Sequence, residues 1–280
     1  MMDKTENLSV CALISCMYQD KSIVSRTKVQ TNAVVVNQCD EENVSEYDFT
    51  NSYGKTCHVK FISTRERGLS RSRNMAIRNC DDDICIICDD DEELCEGYEN
   101  LILEGYQYYP SAAVVTFKLN RDYKYNRIYP PPQGVRHNLT SILKTNSLEI
   151  TFKRKVVNSK GIVFDEMMGS GTGNGSGEEE KFLLDIRHSG LQLYFYSNII
   201  ATVHGGESQW FKGFNAEYFY NKGWSARRIL GGPLSFVYLV YFVVSHYSQF
   251  KSEISFISLV KSLIRGWLSK RTKNEETKKE

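Results

Sequence analysis

The sequence has almost no net charge, no apolar run long enough to cross a bilayer, no stretch that reads as a secretory leader and no internal repeat. Each absence excludes something. Lys and Arg total 35 against 34 Asp and Glu, a formal charge of +1, so the chain as a whole lacks the basic excess that nucleic-acid binding leaves in a sequence. No nucleic-acid partner is expected. The longest apolar run, Leu234 to Val244, falls short of the roughly 20 residues a spanning helix needs. His246, Ser248 and Gln249 interrupt its extension. The N-terminus sets acidic and polar residues before a short apolar stretch, without the basic region, apolar core and cleavage site of a signal peptide. The expected location is therefore cytoplasmic. No self-similarity occurs at solenoid periods. With 41% hydrophobic and 25% charged residues the chain is not disordered. At 280 residues it suits one large α/β domain or two small ones and is too long for a disulfide-stapled miniprotein.

What is present is unevenly placed. Residues 251–280 hold eight basic and four acidic residues, which leaves the first 250 with 27 basic and 30 acidic, a slightly acidic body before a basic tail. Eight cysteines stand at 11, 16, 39, 57, 80, 85, 88 and 95. The single CxxC, Cys85 to Cys88, lies in ICIIC, which reads as a buried strand. Residues three apart on a strand face opposite sides and cannot easily share a metal. Without an export signal the cysteines read as reduced, mostly buried thiols.

Strand and helix signals alternate through the first half. Strands are expected at 8–15, 33–36, 58–64, 83–88 and 112–119, with helices over about 21–31, 68–80 and 96–109. Runs apolar throughout, alternating with helices, predict a mainly parallel sheet covered on both faces. A Tyr-rich stretch with three consecutive prolines at 130–132 predicts a loop or hairpin excursion. Glycines at 169, 171, 173, 175 and 177 predict a mobile loop before a helix from Glu178 to His188, closed by Gly190. Their spacing is not a GxGxxG fingerprint, so they are not read as a dinucleotide loop. LQLYFYS and IIATVH give further strands. Gly231-Gly232-Pro233 breaks the chain, dividing a catalytic domain, 1–230, from a helical tail, 231–280. In the tail Ile254, Ile257, Val260, Ile264, Trp267 and Leu268 mark one helical face, with Ser258, Lys261 and Arg265 on another and Lys270, Arg271 and Lys273 following. Two readings stand: an interfacial helix on an anionic membrane, or a helix packed on the domain with a solvated basic end.

The strongest chemical signal is Asp89-Asp90-Asp91, directly after the strand ICIIC. In an open parallel sheet ligands bind beyond the carboxyl ends of the strands. Adjacent carboxylates repel one another, and a divalent cation relieves that repulsion. Asp89 and Asp91 alternate on extended backbone and point the same way. Asp81-Asp82-Asp83, before the strand rather than after it, reads as an ordinary solvated turn.

NLSVCALISC near the start, VVVNQCDEE at 34–42, GLSRSRNMAIRN at 68–79, ICDDDEE at 87–93 and GSGEEEKFLLDIRHSG at 175–190 come in an order that resembles family 2 inverting glycosyltransferases of GT-A fold. The likeness covers about residues 8–205, and its SRSRN helix and DDD strand end are most similar to bacterial capsular and exopolysaccharide glycosyltransferases. It implies an α/β GT-A domain that moves a sugar from a nucleotide-sugar donor to a glycan or lipid-linked acceptor. It also implies a DxD motif, Asp89 and Asp91 with Asp90 between them, holding Mn²⁺ or Mg²⁺ on the donor diphosphate, Asp91 more directly. Glu179 falls at the general-base position, where the family usually has Asp, and Glu178 supports it. The bland reading of these glutamates is helix-dipole stabilisation. The second strand of the family usually ends in Asp-Asp; here it ends in Asn37-Gln38 with Asp40 as the next carboxylate, so Asn37 and Asp40 are the donor-side candidates. Arg73 and Asn74 match the family's Arg-Asn pair, with Arg73 either contacting donor or forming a structural ion pair with Asp89. Arg65, Arg67 and Arg71 add positive field or are solvated. His204 stands where a third metal ligand could return to the site, and is otherwise structural. Trp210 either stacks on an acceptor sugar or is buried.

Three functions are therefore open. The leading one is a metal-dependent, inverting glycosyltransferase of surface polysaccharide synthesis, peripheral on the inner face of the cell membrane. A catalytically silent membrane scaffold of the same fold is the second. A sugar nucleotidyltransferase is the third, disfavoured because CMYQDKS follows the first strand where such enzymes carry a Gly- and Arg-rich phosphate loop.

Overall fold

The computed structural model describes residues 8–121, 135–204 and 213–270. Trp210, Arg271, Lys273 and most of the proline-bearing excursion lie outside the described residues. The chain divides into two compact units: Met1–Arg67, Arg71–Val163 and Phe182–Gly206 form the first, and Gly68–Ser70, Phe164–Lys181 and Glu207–Glu280 the second.

The first unit is built on one mixed sheet. Its strands are β1 (Val10–Met17), β2 (Asn32–Gln38), β3 (Asn43–Thr50), β4 (Thr56–Thr64), β5 (Ile84–Asp89), β6 (Glu92–Leu94), β7 (Ala112–Arg121), β8 (Val135–Arg136), β9 (Ile150–Lys153) and β10 (Gln192–Val203). The order is β3-β4-β2-β1-β5-β9-β7-β10-β6, with β8 also paired to β10. The run β4-β2-β1-β5 is parallel throughout. β9 enters antiparallel between β5 and β7. Seven of the eight β1 residues are buried, as are Ile84 to Cys88 of β5. Burial on both faces is why these strands read as unbroken apolar runs.

Helices α1 (Ile23–Arg26), α2 (Leu69–Arg78), α3 (Tyr98–Tyr108), α4 (Leu139–Ile142), α5 (Arg154–Asn158) and α6 (Glu178–His188) connect these strands. The expected helix over 21–31 shrinks to the single turn α1. Thr27 donates its hydroxyl back to the Ile23 carbonyl, and Lys28 takes φ +54°, which ends the helix. Helix α2 turns an unusual face inward: Ser72, Arg73 and Asn74 are buried beside Ala76 and Ile77. Ser72 donates to Ser15 at the end of β1, 2.9 Å away. The polar face of α2 is thereby fixed at the carboxyl ends of the strands.

The second unit is helical: α7 (Ala216–Leu230), α8 (Gly232–Phe250) and α9 (Phe256–Leu268). Pro233 sits in the first turn of α8, after Gly231 at φ +73°, so the breaker seen in sequence is a tight helix-to-helix joint. Phe219, Ala226, Leu239, Phe250, Leu259 and Leu263 form its core. Helices α7 and α9 meet backbone to backbone, since a Cβ on Gly223 would overlap the Leu263 carbonyl oxygen and one on Gly266 that of Tyr220. The stripe that α9 buries is Leu259, Leu263 and Gly266, while Ile257, Ile264 and Leu268 stay exposed. Helix α8 likewise exposes Phe236, Val237, Val240, Tyr241 and Val244. Among the described residues no helix is long and apolar enough to cross a membrane.

Candidate active site

Asp89 is the last residue of β5, opposite Ser15 of β1 in the parallel register. The sheet's carboxyl edge therefore carries the Asp89-Asp90-Asp91 turn. Beneath it lies Arg73, 1% exposed, with Nη2 donating at 3.3 Å to both oxygens of Asp89. Ser147 donates its hydroxyl to Asp89 Oδ2 at 3.3 Å from a short 3-10 turn, Ser147–Glu149. The backbone N–H of Asp89 donates to Glu92 Oε2 at 3.1 Å, closing the turn on a buried glutamate. Gln19 donates to Asp90 at 3.3 Å.

Asp89 thus takes the Arg73 guanidinium, with three further acidic residues directly after it in the chain. Partial burial and then the Asp89 charge push the Asp90 and Asp91 carboxyls up. Glu92 is pushed well up by burial and then by Asp89. An all-oxygen, carboxylate-rich donor set with unrelieved negative charge suits a hard divalent cation such as Mg²⁺ or Mn²⁺. His204 Nε2 lies 3.4 Å from Glu93 Oε1. Among the described residues, neither Asp89, Asp90 and Asp91 nor Asp89, Asp91 and His204 bring three ligand atoms within 4.8 Å of one another.

The donor-side candidates separate. Asn37 is buried and holds the loop after β1: it accepts from Gln19 N–H and donates to the Gln19 carbonyl, both at 2.9 Å. Asp40 is open to solvent, where it accepts from Arg67 Nη2 at 2.8 Å and from the Tyr18 hydroxyl at 3.1 Å. The Arg67 guanidinium also faces the Tyr18 ring at 5.7 Å. Arg65 Nε donates to the Asp40 carbonyl, and Arg71 Nη1 to that of Arg67. Tyr18 was not singled out in the sequence; it is 62% exposed at φ +50°, an uncommon conformation for a non-glycine residue. Its only signal was an aromatic directly after an apolar strand. Asn74 is buried in α2.

In the second unit the glycine loop has a defined course. Arg228 grips Asp165 with Nη2 at 2.8 Å from Oδ1 and Nε on Oδ2, tying the start of the loop to α7. A Cβ on Gly175 would lie 2.7 Å from the Asn221 carbonyl oxygen, and one on Gly169 2.9 Å from the Glu178 carboxyl. Instead of freeing the chain, these glycines let it press against α7 and around Glu178. Glu178 is buried and accepts from the Gly177 N–H at 3.0 Å. Glu179 is half-buried in the first turn of α6. Its neighbour Glu180 is pushed up to about 7 by burial and then by the Glu179 charge.

The sequence pattern of Glycosyl transferase family 2 matches residues 21–165. No curated protein matches the chain by sequence. Among solved structures, S. aureus TarS 1-349 in complex with UDP-GlcNAc is similar at a TM-score of 0.62 and 12% identity, over 92% of this chain and 81% of that one. The same protein with UDP gives 0.59 and 12% over the same shares. The longer S. aureus TarS gives 0.59 and 13%, over 94% of this chain and 50% of that one. At such identity the likeness shows a common fold.

Proposed function

The chain belongs to glycosyl transferase family 2, and from that membership we propose that it moves a sugar from a nucleotide-sugar donor to a hydroxyl of a glycan or lipid-linked acceptor. The observation that carries the reading is the carboxylate turn Asp89-Asp90-Asp91 at the carboxyl end of β5, short of positive charge and backed by Arg73. The TarS structures with UDP and UDP-GlcNAc support a uridine-type donor. In this reading Asp89 and Asp91 hold Mn²⁺ or Mg²⁺. The cation, when bound, offsets the negative charge that gathers on the departing diphosphate. Arg73 fixes Asp89, Gln19 fixes Asp90, and Tyr18, Asp40 and Arg67 present an aromatic face, a carboxylate and a cation to the nucleoside.

Glu179 takes the proton of the acceptor hydroxyl as its oxygen bonds to the anomeric carbon and the bond to the nucleoside diphosphate breaks. Attack opposite the leaving group inverts the anomeric centre. Glu178, held by Gly177, orients the first turn of α6. The segment 231–280 serves as the contact with an anionic membrane, through the apolar residues that α8 and α9 leave exposed and the basic residues that follow Ser269. That arrangement suits surface polysaccharide synthesis at the inner membrane face.

The reading is tested with the full chain. Asp91→Ala and Glu179→Gln should each abolish transfer from a nucleotide sugar while circular dichroism stays native; full activity in both variants refutes the assigned roles. A thermal-shift screen of Mn²⁺ with UDP-, GDP- and CMP-sugars names the donor, and no stabilisation by any pair favours the silent scaffold. Val240→Glu with Val244→Glu should release the protein from anionic liposomes; unchanged binding overturns the membrane contact.

A further inference from the structure

A second cluster lies at the opposite end of the parallel sheet. Cys11 near the start of β1 stands beside Cys85 near the start of β5 in the strand register. Asp89 is four residues further along β5, about 13 Å at the usual rise of a strand. Cys80, just past the C-terminal end of α2, and Asp82 complete the group. The ligand atoms of Cys11, Cys80 and Asp82 all lie within 4.8 Å of one another. Cys85 Sγ lies 3.7 Å from Cys80 Sγ. A groove of about 410 Å³, lined in part by Cys11, Cys80, Asp82 and Asn32, connects the cluster to solvent. Asn32 donates to Asp82 at 3.0 Å, which fixes the carboxylate.

We propose that Cys11, Cys80 and Asp82 form a binding site for a thiophilic divalent cation, Zn²⁺ in the first instance, with water or Cys85 in the fourth position. Tetrahedral zinc with bonds of about 2.3 Å to sulfur and about 2.0–2.2 Å to oxygen places its ligand atoms about 3.5–3.8 Å apart. The cluster needs only small side-chain rotations to reach that spacing, and the Cys80–Cys85 separation already has it. The Cys80 and Cys11 thiols each give a proton to water when the cation binds. Thiolates select zinc over magnesium and manganese, whereas the Asp89–Asp91 carboxylates have the reverse preference. The two ends of one sheet thus sort cations by chemistry. A metal here also pins the end of α2, the helix that carries Arg73.

The test uses the full chain stripped with chelator and titrated with Zn²⁺ against a chromophoric competitor, with metal content measured afterwards. Wild type should bind one equivalent that excess Mg²⁺ or Mn²⁺ does not displace. Co²⁺ should give the near-ultraviolet charge-transfer band of thiolate ligation. Cys80→Ser should weaken zinc at least roughly 100-fold, beyond what loss of an outer-shell partner costs. Asp82→Asn, close in shape and readily folded, should weaken it and remove the zinc-dependent rise in melting temperature. Cys95→Ser, outside the cluster, should bind as wild type does. Absence of zinc from wild type, or equal affinity in Cys80→Ser and Asp82→Asn, overturns the site. None of these readouts depends on sugar transfer.

Discussion

Replacing Arg73 by Met keeps most of the aliphatic stem and removes the buried guanidinium that pairs with Asp89. The two contacts of 3.3 Å to Asp89 correspond to about 5 kcal/mol of Coulomb attraction at an effective dielectric of 20. Water reaches Asp89, whose side chain is 25% exposed, and recovers part of that. Breaking a buried ion pair from one side costs about 3–5 kcal/mol, so about 3 kcal/mol is the expected loss in metal-free buffer. This is roughly a hundredfold in the folding equilibrium. Urea denaturation followed by circular dichroism measures it, with and without Mn²⁺. The cation should recover more stability in Arg73→Met than in wild type, because the variant's carboxylates have lost their internal counter-charge. A loss below about 1 kcal/mol, or equal recovery in both proteins, would show that Arg73 does not balance the turn's charge.

A carboxyl raised from 4.5 to about 7 at Glu180 binds its proton more tightly folded than unfolded. Its penalty is absent below about pH 4.5, grows as pH rises towards 7 and is complete above it. Glu180→Gln should therefore stabilise the protein at pH 8 by up to about 3 kcal/mol and by almost nothing at pH 4; equal gains at both pH values would be wrong for this cause. Gly223→Ala must push α7 from α9 because its methyl overlaps the Leu263 carbonyl oxygen. A loss of about 1–3 kcal/mol and early tryptic cleavage after α8 are expected, whereas wild-type proteolysis kinetics would contradict the close crossing. Asp165→Asn frees the start of the glycine loop from Arg228. Its kcat should fall at unchanged helix content, and an unchanged kcat would detach the loop from catalysis.

The parallel centre of the sheet was legible because burial on both faces leaves no polar alternation in β1, β2 and β5. β3 was not. Its sequence NVSEYDFT is mostly polar, and only Tyr47 and Phe49, two apart, pack against the core. That period-2 signal is too short to stand out. β9 was hidden for a different reason. Four residues inserted antiparallel between β5 and β7 are chosen by partners distant in sequence, which no local pattern reports. At the site, the DDD turn was legible through its place after a buried strand. Tyr18, Ser147 and Glu92 were not, since their relation to Asp40, Asp89 or the turn exists only once separate segments meet. Of the α9 stripe Ile254, Val260 and Trp267 pack into the helical core, joined by Leu259 and Leu263 because the close approach at Gly223 and Gly266 turns that side to α7, while Ile257, Ile264 and Leu268 stay outside.

The two aspartate triplets show why composition could not separate a site from a turn. In 81–83 burial raises the Asp82 carboxyl, but its neighbour Asp83 escapes that rise. Asp82 accepts from Asn32. Asp83 accepts from Ser9 and lies 3.1 Å from Lys155, and these contacts outweigh burial and hold its carboxyl below the usual range. In 89–91 Asp89 pairs with the buried Arg73, and burial and then the Asp89 charge raise Asp90, Asp91 and Glu92. Selection for stability alone would remove such crowding, since raised carboxyls weaken the fold at neutral pH. Under the proposed function a divalent cation would offset that crowding at this edge of the sheet, whereas at Glu180, raised by burial and then by the Glu179 charge, a proton does so.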